Sequence, residues 1–410
     1  MTKEKYIKKE GQTAVNVTQT KIDSIRKKDI LKTGIRMHDK DIVGVAGVLG
    51  EYKESELENR AKESLKDKIP YPFKVSIDRK IEEIRVNKYL MNSEELVDEM
   101  EKLLDYFRKE YSEFSFMGKG YIGEYEERLL NDRKLDLRYV TNYFSLGFGF
   151  KEKSSANIID GDIGYMGKKY DKDSFLNFTD NLFGAYRNQV DLPKEGKYPV
   201  IFSTSDFMIM IKLIKDLHGL MFGSGGSMLS DKLGKKVFSD KFTVLQSLNP
   251  DEFIPFFDAE GTVNENYEYE LIKNGEIISP YTDKKISKMF NLPLTGSATA
   301  EYDGVPNINY IRLKIAESEK TAKELLGGDK GIFVIVASGG DFTDDGNFAS
   351  PVQLAMFYDG EKFTGRLPEI QISSSLFDMY GDDFRGVSKN PIIPNTLDKH
   401  LIMDMNVSKI

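Results

Sequence analysis

Hydrophobic and polar positions along this chain change their period several times. Residues 12 to 50 alternate in places, with Val15, Val17, Ile42, Val43 and Val45 apolar, and are punctuated by Gly34, the His38-Asp39-Lys40-Asp41 cluster and Gly44. Period-two alternation interrupted by turn residues predicts short strands in a β-meander. From Ser55 the period changes. Leu57, Ala61 and Leu65 recur every four residues, and after Ser93 the run Leu96, Val97, Met100, Leu103, Leu104 and Phe107 marks a second helix. Alternation returns in LDLRYVTNYFSLGFGF (135–150), which suits an antiparallel sheet with one wet face. SSANIIDGDIGYMGKKYD (154–171) then supplies turn residues before a short helix near 173–186.

DLPKEGKYPV (191–200) gathers proline, glycine and charge without periodicity, as a linker does. Beyond it, SDFMIMIKLIKDLHGLMFG (205–223) has Ser205 as its expected cap and an almost continuous apolar surface. At 100° per residue, Phe207, Ile211, Ile214 and His218 share one line, while Lys212, Lys215 and Asp216 form a narrow polar strip. A single buried helix is expected there. The remainder is mostly short β-like runs between Gly, Pro, Asn and Asp, as in GIFVIVASGGDF (331–342) and LAMFYDGEKF (354–363). The predicted fold class is α+β. Its expected parts are an N-terminal α+β domain (1–110), a mostly β middle segment (111–195), and a β-rich C-terminal domain with one buried helix (196–410).

Composition narrows the function classes. The 58 basic and 66 acidic residues leave a net charge of −8, which offers no overall attraction to nucleic acid or an anionic membrane. No run approaches the roughly 18 apolar residues of a membrane span, and the charged N-terminus lacks a signal-peptide core, so a cytoplasmic protein is expected. With no cysteine, disulfides, thiolate zinc sites and a cysteine nucleophile are excluded. Three histidines remain: His38, His218 and His400.

Three constellations bear on chemistry. GSGGSMLSDKLGKK (223–236) follows a helix, and its Gly234-Lys235 is followed by Lys236, so it reads as a helix-end turn and not a phosphate-binding loop. His218 has no histidine within thirty residues and sits on an apolar line, which favours a hydrogen-bonded core residue over a zinc ligand. FFDAEGT (256–262) is more open. Were it extended, Asp258 and Glu260 would project from one face about 6 to 7 Å apart. That spacing suits an acid and base around a water or two oxygen ligands for a hard cation, yet such acid pairs are also common on solvated strands.

Several stretches together resemble one family. FFDAEGT, LIKNGEI (271–277), LTGSATAEYDGVP (294–306) and KGIFVIVASGGDFTDDGNFASPVQLAMFYDGEKF (330–363) resemble successive elements of the TldD/PmbA family, peptidase-related proteins often labelled modulators of DNA gyrase. TGIRMHDKDIVGVAG (33–47) and SMLSDKLGKKVFSD (227–240) are similar to its first-domain hairpin and to the segment preceding Asp-x-Glu-Gly. The resemblance implies dimers enclosing a peptide-binding cleft, with Asp258, Glu260, Gly261, Thr295 and Gly296 as cleft candidates. In the TldD branch a His-Glu-x-x-x-His helix and a later cysteine bind the catalytic metal. Counting back from Leu233-Gly234 places Met210, Ile211 and Lys215 at those helix positions. Isoleucine has no donor, a thioether is a poor zinc ligand, and protonated lysine repels a cation. The chain therefore resembles the PmbA (TldE-like) branch.

No metal or other cofactor is expected, and the expected partners are a TldD-type metal-bearing subunit, a second copy in a homodimer, or both, with peptide as substrate. The expected role is a metal-free subunit that helps bind unfolded peptide for proteolysis by its partner. A self-associating peptide-binding protein and a carboxylate hydrolase using Asp258 and Glu260 are the alternatives.

Overall fold

Alternation near the N-terminus runs through positions that resemble turns, and the strands are correspondingly long. In the computed structural model, which describes residues 1–88, 91–167, 169–310, 312–394 and 397–410, β1 (Thr2–Thr18) and β2 (Lys21–Asp39) form one antiparallel hairpin that β3 (Ile42–Leu49) extends as a meander. Lys40 makes the turn after His38-Asp39 with a positive φ of 53°. Gly34 does not turn. It lies inside β2, where a Cβ would stand 1.6 Å from the carbonyl oxygen of Tyr302, so its role is close approach of another backbone.

The helical periods are realised as α1 (Glu54–Glu63) and α2 (Ser93–Glu110). In α2 the stripe Leu96, Met100, Leu103, Leu104 and Phe107 is buried, and Asn92 and Glu95 close a capping box at its start. The strands β4 (Ile69–Pro70), β5 (Arg79–Arg85), β6 (Phe114–Asn131), β7 (Leu135–Glu152) and β8 (Gly161–Gly167) join the meander in the order β4-β3-β2-β1-β6-β7-β5, with β8 on β7. β1 pairs β6 from Glu4 opposite Asn131 to Val17 opposite Gly118. A boundary at residues 110/111 therefore falls inside a single sheet, because the strands before and after α2 hydrogen-bond to each other. Of the stretch 154–171, residues 161–167 are strand and Lys168 lies outside the described residues.

After α3 (Lys172–Arg187), the C-terminal half begins with β9 (Gly196–Ser203), α4 (Phe207–Asp216) and α5 (Gly219–Gly223). The segment 205–223 is thus two helices, not one. His218 adopts an extended conformation (φ −68°, ψ 119°) and caps α5, its Nδ1 accepting from the Leu220 amide at 3.2 Å. Asp206, not Ser205, caps α4. The wheel also shifts: Ile209, Met210, Leu213 and Ile214 are buried while Phe207 is 52% exposed. Lys212 and Asp216 leave the polar strip for the interior, where they form an ion pair at 2.9 Å.

The chain continues through β10 (Val244–Ser247), β11 (Glu268–Lys273), β12 (Glu276–Ile277), α6 (Lys284–Phe290), β13 (Ala298–Thr299), β14 (Asn307–Ile308), β15 (Leu313–Ile315), α7 (Ala322–Leu326) and β16 (Gly331–Ala337). It ends with β17 (Asp341–Phe342), β18 (Asn347–Tyr358), β19 (Phe363–Arg366), β20 (Ile370–Ser375), α8 (Leu376–Met379), β21 (Phe384–Val387) and β22 (His400–Lys409). Among the described residues four short helices accompany α4, so the expected single buried helix undercounts them. Strands β16, β9, β22, β20 and β18 follow one another as neighbours, and β18 pairs back to β16, closing a ring. Alternation then sorts side chains to its two faces. Val200, Phe202, Leu401 and Met403 join the core built around α4, whereas Ile201, Phe333, Met356 and Ile402 pack with α3 and the aromatics of β7. The fold class is α+β, as the alternating and helical periods indicate.

Candidate functional site: the Asp258-Glu260 turn and its cleft

FFDAEGT forms a tight turn in place of a strand. The Asp258 carbonyl accepts from the Gly261 amide at 2.9 Å, and Gly261 has φ +73°, a conformation suited to glycine. Phe256 and Phe257 leave the C-terminal half to pack with Tyr6, Leu129, Leu135, Leu137 and Tyr139 of the N-terminal sheet. The turn is therefore a clasp between the two halves, and its carboxylates are drawn inward with the rings.

The two acids have different surroundings. Asp258 is 1% exposed, and Oδ1 accepts from the amides of Glu260 (3.0 Å) and Thr262 (2.8 Å) while Oδ2 accepts from Ala298 (3.1 Å). Burial raises its pKa, with these amides opposing the shift. Glu260 Oε1 accepts from the Tyr71 hydroxyl at 2.7 Å and Oε2 from the Lys284 amide at 2.9 Å. Burial, and then the charge of Asp258, push the Glu260 carboxyl up to about 7.

A belt of partners from distant segments surrounds the turn. Arg36 Nη1 donates to the Ala259 carbonyl (2.6 Å) and Glu4 Oε1 (3.1 Å), and Nε donates to the Gly304 carbonyl (3.1 Å). His38 lies beside them, with Nε2 3.8 Å from Glu4 Oε1 and its ring 5.2 Å from that of Tyr71. Lys284 Nζ donates to the carbonyls of Lys74 (2.9 Å) and Glu260 (3.1 Å). Above Tyr71 and Glu260 opens a cleft of about 660 Å³, walled by residues 69–73, by α6 and by residues 305–307.

The remaining candidates divide. Gly261 sits in the turn against Leu129, Leu135 and Ser76. Thr295 is fully buried and faces inward: its hydroxyl donates to Gln246 Oε1 (3.0 Å), and the carbonyls of Thr295 and Gly296 each accept from Gln246 Nε2 (2.7 Å). These two residues support the strand whose Ala298 amide reaches Asp258. Tyr71, Lys284, Arg36 and Glu4 were missed by sequence reasoning, since no local pattern links them to a segment as much as 256 residues away, the span between Glu4 and Glu260. Only the aromatic and proline content of YPF (71–73) distinguishes one of these segments.

On α4, Met210 is 4% exposed and receives a contact from the Tyr380 hydroxyl at 3.6 Å, Ile211 is half-buried and Lys215 is exposed. The carboxylate of Asp216 is already paired with Lys212. These groups do not fit a zinc or other catalytic metal, and among the described residues no group of three His, Cys, Asp or Glu converges. His218 stacks edge-on to Tyr281 and burial lowers its pKa. His400 is fully buried in β22, its Nδ1 accepting from the Ile392 amide (3.2 Å), and burial lowers its pKa to about 3, so it is neutral. Among the described residues no helix is long and apolar enough to cross a membrane.

No curated protein is detectably similar in sequence. Among solved structures, TldE from Thermococcus kodakarensis superposes with a TM-score of 0.81 at 17% identity, covering 100% of this chain and 97% of that one. A protein from Thermotoga maritima described as a modulator of a DNA gyrase gives 0.75 at 16% identity, covering 99% and 96%. One from Bacteroides thetaiotaomicron described in the same words gives 0.77 at 14%, covering 100% and 95%. These likenesses establish a shared fold. Residues 195–404, just over half of the 410, match the PmbA/TldA metallopeptidase C-terminal domain, and the chain accordingly belongs to the TldD/PmbA family.

Proposed function

We propose that this chain is the metal-free subunit of a TldD/TldE-type peptidase, shaping a cleft that admits unfolded peptide while a metal-bearing partner performs hydrolysis. The observation that carries this reading is α4. In a chain of a metallopeptidase family, the helix offers Met210, Ile211 and exposed Lys215 at the positions counted for the metal ligands, and its nearby carboxylate, Asp216, is paired with Lys212. A cation brought there would meet an ammonium group and no free donor set. The full-length likeness to a TldE supports the same branch. The chain's own contribution is then binding and positioning at the cleft over Tyr71 and Glu260. Co-expression with a TldD-type protein from the same genome tests this. A stable complex that cleaves an unstructured peptide faster than the TldD-type protein alone is expected, and neither complex nor gain in rate would overturn it.

Exposed apolar residues near α4 favour a second reading, self-association. Phe207 (52% exposed) and Tyr310 (36%) have ring centroids 6.4 Å apart and present a surface that another protein could cover. Light scattering of the isolated chain distinguishes the cases: a homodimer that persists when the TldD-type protein is added favours self-association.

A further inference from the structure

The cleft over Glu260 combines two features that the subunit reading does not itself require. Its volume of about 660 Å³ lies within the roughly 300–1,000 Å³ of ligand pockets. Tyr71, Phe73, Met289 and Pro306 give it apolar walls. One face of α6 presents Lys285, Lys288 and Met289 together, because positions i, i+3 and i+4 of a helix are neighbours. Lys284, next in the chain, is turned inward onto the carbonyls of Lys74 and Glu260. Lys285 and Lys288, by contrast, are exposed on the cleft wall and make no ion pair among the described residues; the Lys288 ammonium lies 5.8 Å from the ring centre of Phe73.

The polarity of the cleft is thus ordered. Its floor carboxylate is committed, both Glu260 oxygens already accepting hydrogen bonds, so the floor does not call for a cation. Its wall carries two uncommitted positive charges. A ligand with an apolar body and one anionic end is complementary to this arrangement. A peptide ending in an apolar residue meets both demands, its side chain against the apolar wall and its terminal carboxylate on the lysines.

We infer that the cleft captures the C-terminal residue of a peptide, with its apolar side chain against Tyr71, Phe73 and Met289 and its free α-carboxylate on Lys285 and Lys288. This inference rests on the reading that the chain binds peptide, and it adds which end is bound and which residues select it.

Fluorescence anisotropy on the full-length chain tests it. The probe is an unstructured peptide labelled at its N-terminus and ending in phenylalanine, either as the free acid or as the C-terminal amide. The free acid is expected to bind about tenfold more tightly at low salt, and Lys285→Ala/Lys288→Ala to abolish that preference by weakening the acid form more than the amide. Met289→Asp, at an exposed position, is expected to weaken both forms while the melting temperature stays within about a degree of the unaltered chain. Equal binding of acid and amide to the unaltered chain overturns the inference, as does binding of decanoate with none of either peptide. The TldD-type complex is scored separately. A complex with no preference for the acid defeats only this inference, and a preference for the acid without a complex defeats only the subunit reading.

Discussion

Replacing Asp258 by alanine would leave three backbone amides without their acceptor, those of Glu260 and Ala298 buried and that of Thr262 half-buried. An unsatisfied buried donor costs about 1–3 kcal/mol, so a loss of at least ~2 kcal/mol is expected in chemical denaturation. If Asp258 were instead a catalytic carboxylate that the fold does not use, Asp258→Asn would abolish hydrolysis by the isolated chain with little change in melting temperature. Glu260 gives a different signature. Its folded-state pKa of about 7 lies above the ordinary value of 4.5, so the folded protein holds a proton that the unfolded chain releases. The stability linked to that proton is fully present below pH 4.5 and is lost as pH rises through about 7. Glu260→Gln should therefore flatten the fall of melting temperature between about pH 5 and 7, read as the difference from the unaltered chain. The acid pair was visible in FFDAEGT, but the division of labour was not. Tyr71 and Lys284, which engage Glu260, and Thr262 and Ala298, which engage Asp258, become neighbours only after the clasp closes.

Within α4, the buried Lys212-Asp216 pair makes an equally separable prediction. Lys212→Met leaves a carboxylate that is 1% exposed without its counter-ion, which costs about 3–5 kcal/mol, whereas Lys212→Met/Asp216→Leu should recover most of that loss in the same denaturation assay. Period and polarity predicted this helix, and its apolar stripe is present. Its end was not legible, since Leu217 continues the apolar run. The break is imposed by tertiary pairing: the Leu217 carbonyl accepts from the Tyr281 amide (2.9 Å) and the Gly219 amide donates to the Tyr281 carbonyl (3.0 Å), which pulls His218 out of helical geometry. Gly34 teaches the same lesson for strands. A glycine inside an alternating run marked contact with residue 302, which no window of neighbouring residues contains.

At the scale of the molecule, the two halves are tied by Phe256 and Phe257, both nearly fully buried in the N-terminal sheet. Phe257→Ala should cost about 3–5 kcal/mol and let the halves unfold in separate steps, visible as two transitions where the unaltered chain shows one. Elemental analysis of the purified chain should find no stoichiometric zinc; one tightly held ion per chain would defeat the subunit reading. The α+β class and the change of character near residue 190 follow from local pattern. The joining of strands on either side of α2 into one sheet does not, because that pairing links residues up to 127 apart, the separation of Glu4 from Asn131.

The closed ring has a consequence for how the protein is made. β22 (His400–Lys409) lies between β9 and β20 and also pairs with β21, so it bonds to a strand that leaves the ribosome roughly two hundred residues before it. The N-terminal sheet holds all of its strands once residue 167 has emerged, and it can fold during synthesis. The second half must wait, with one edge of β9 unpaired and the ring open, until the last strand arrives. Vectorial synthesis thus divides folding into an early event and a late one, and the late one is the step at which chaperones have an exposed surface to hold.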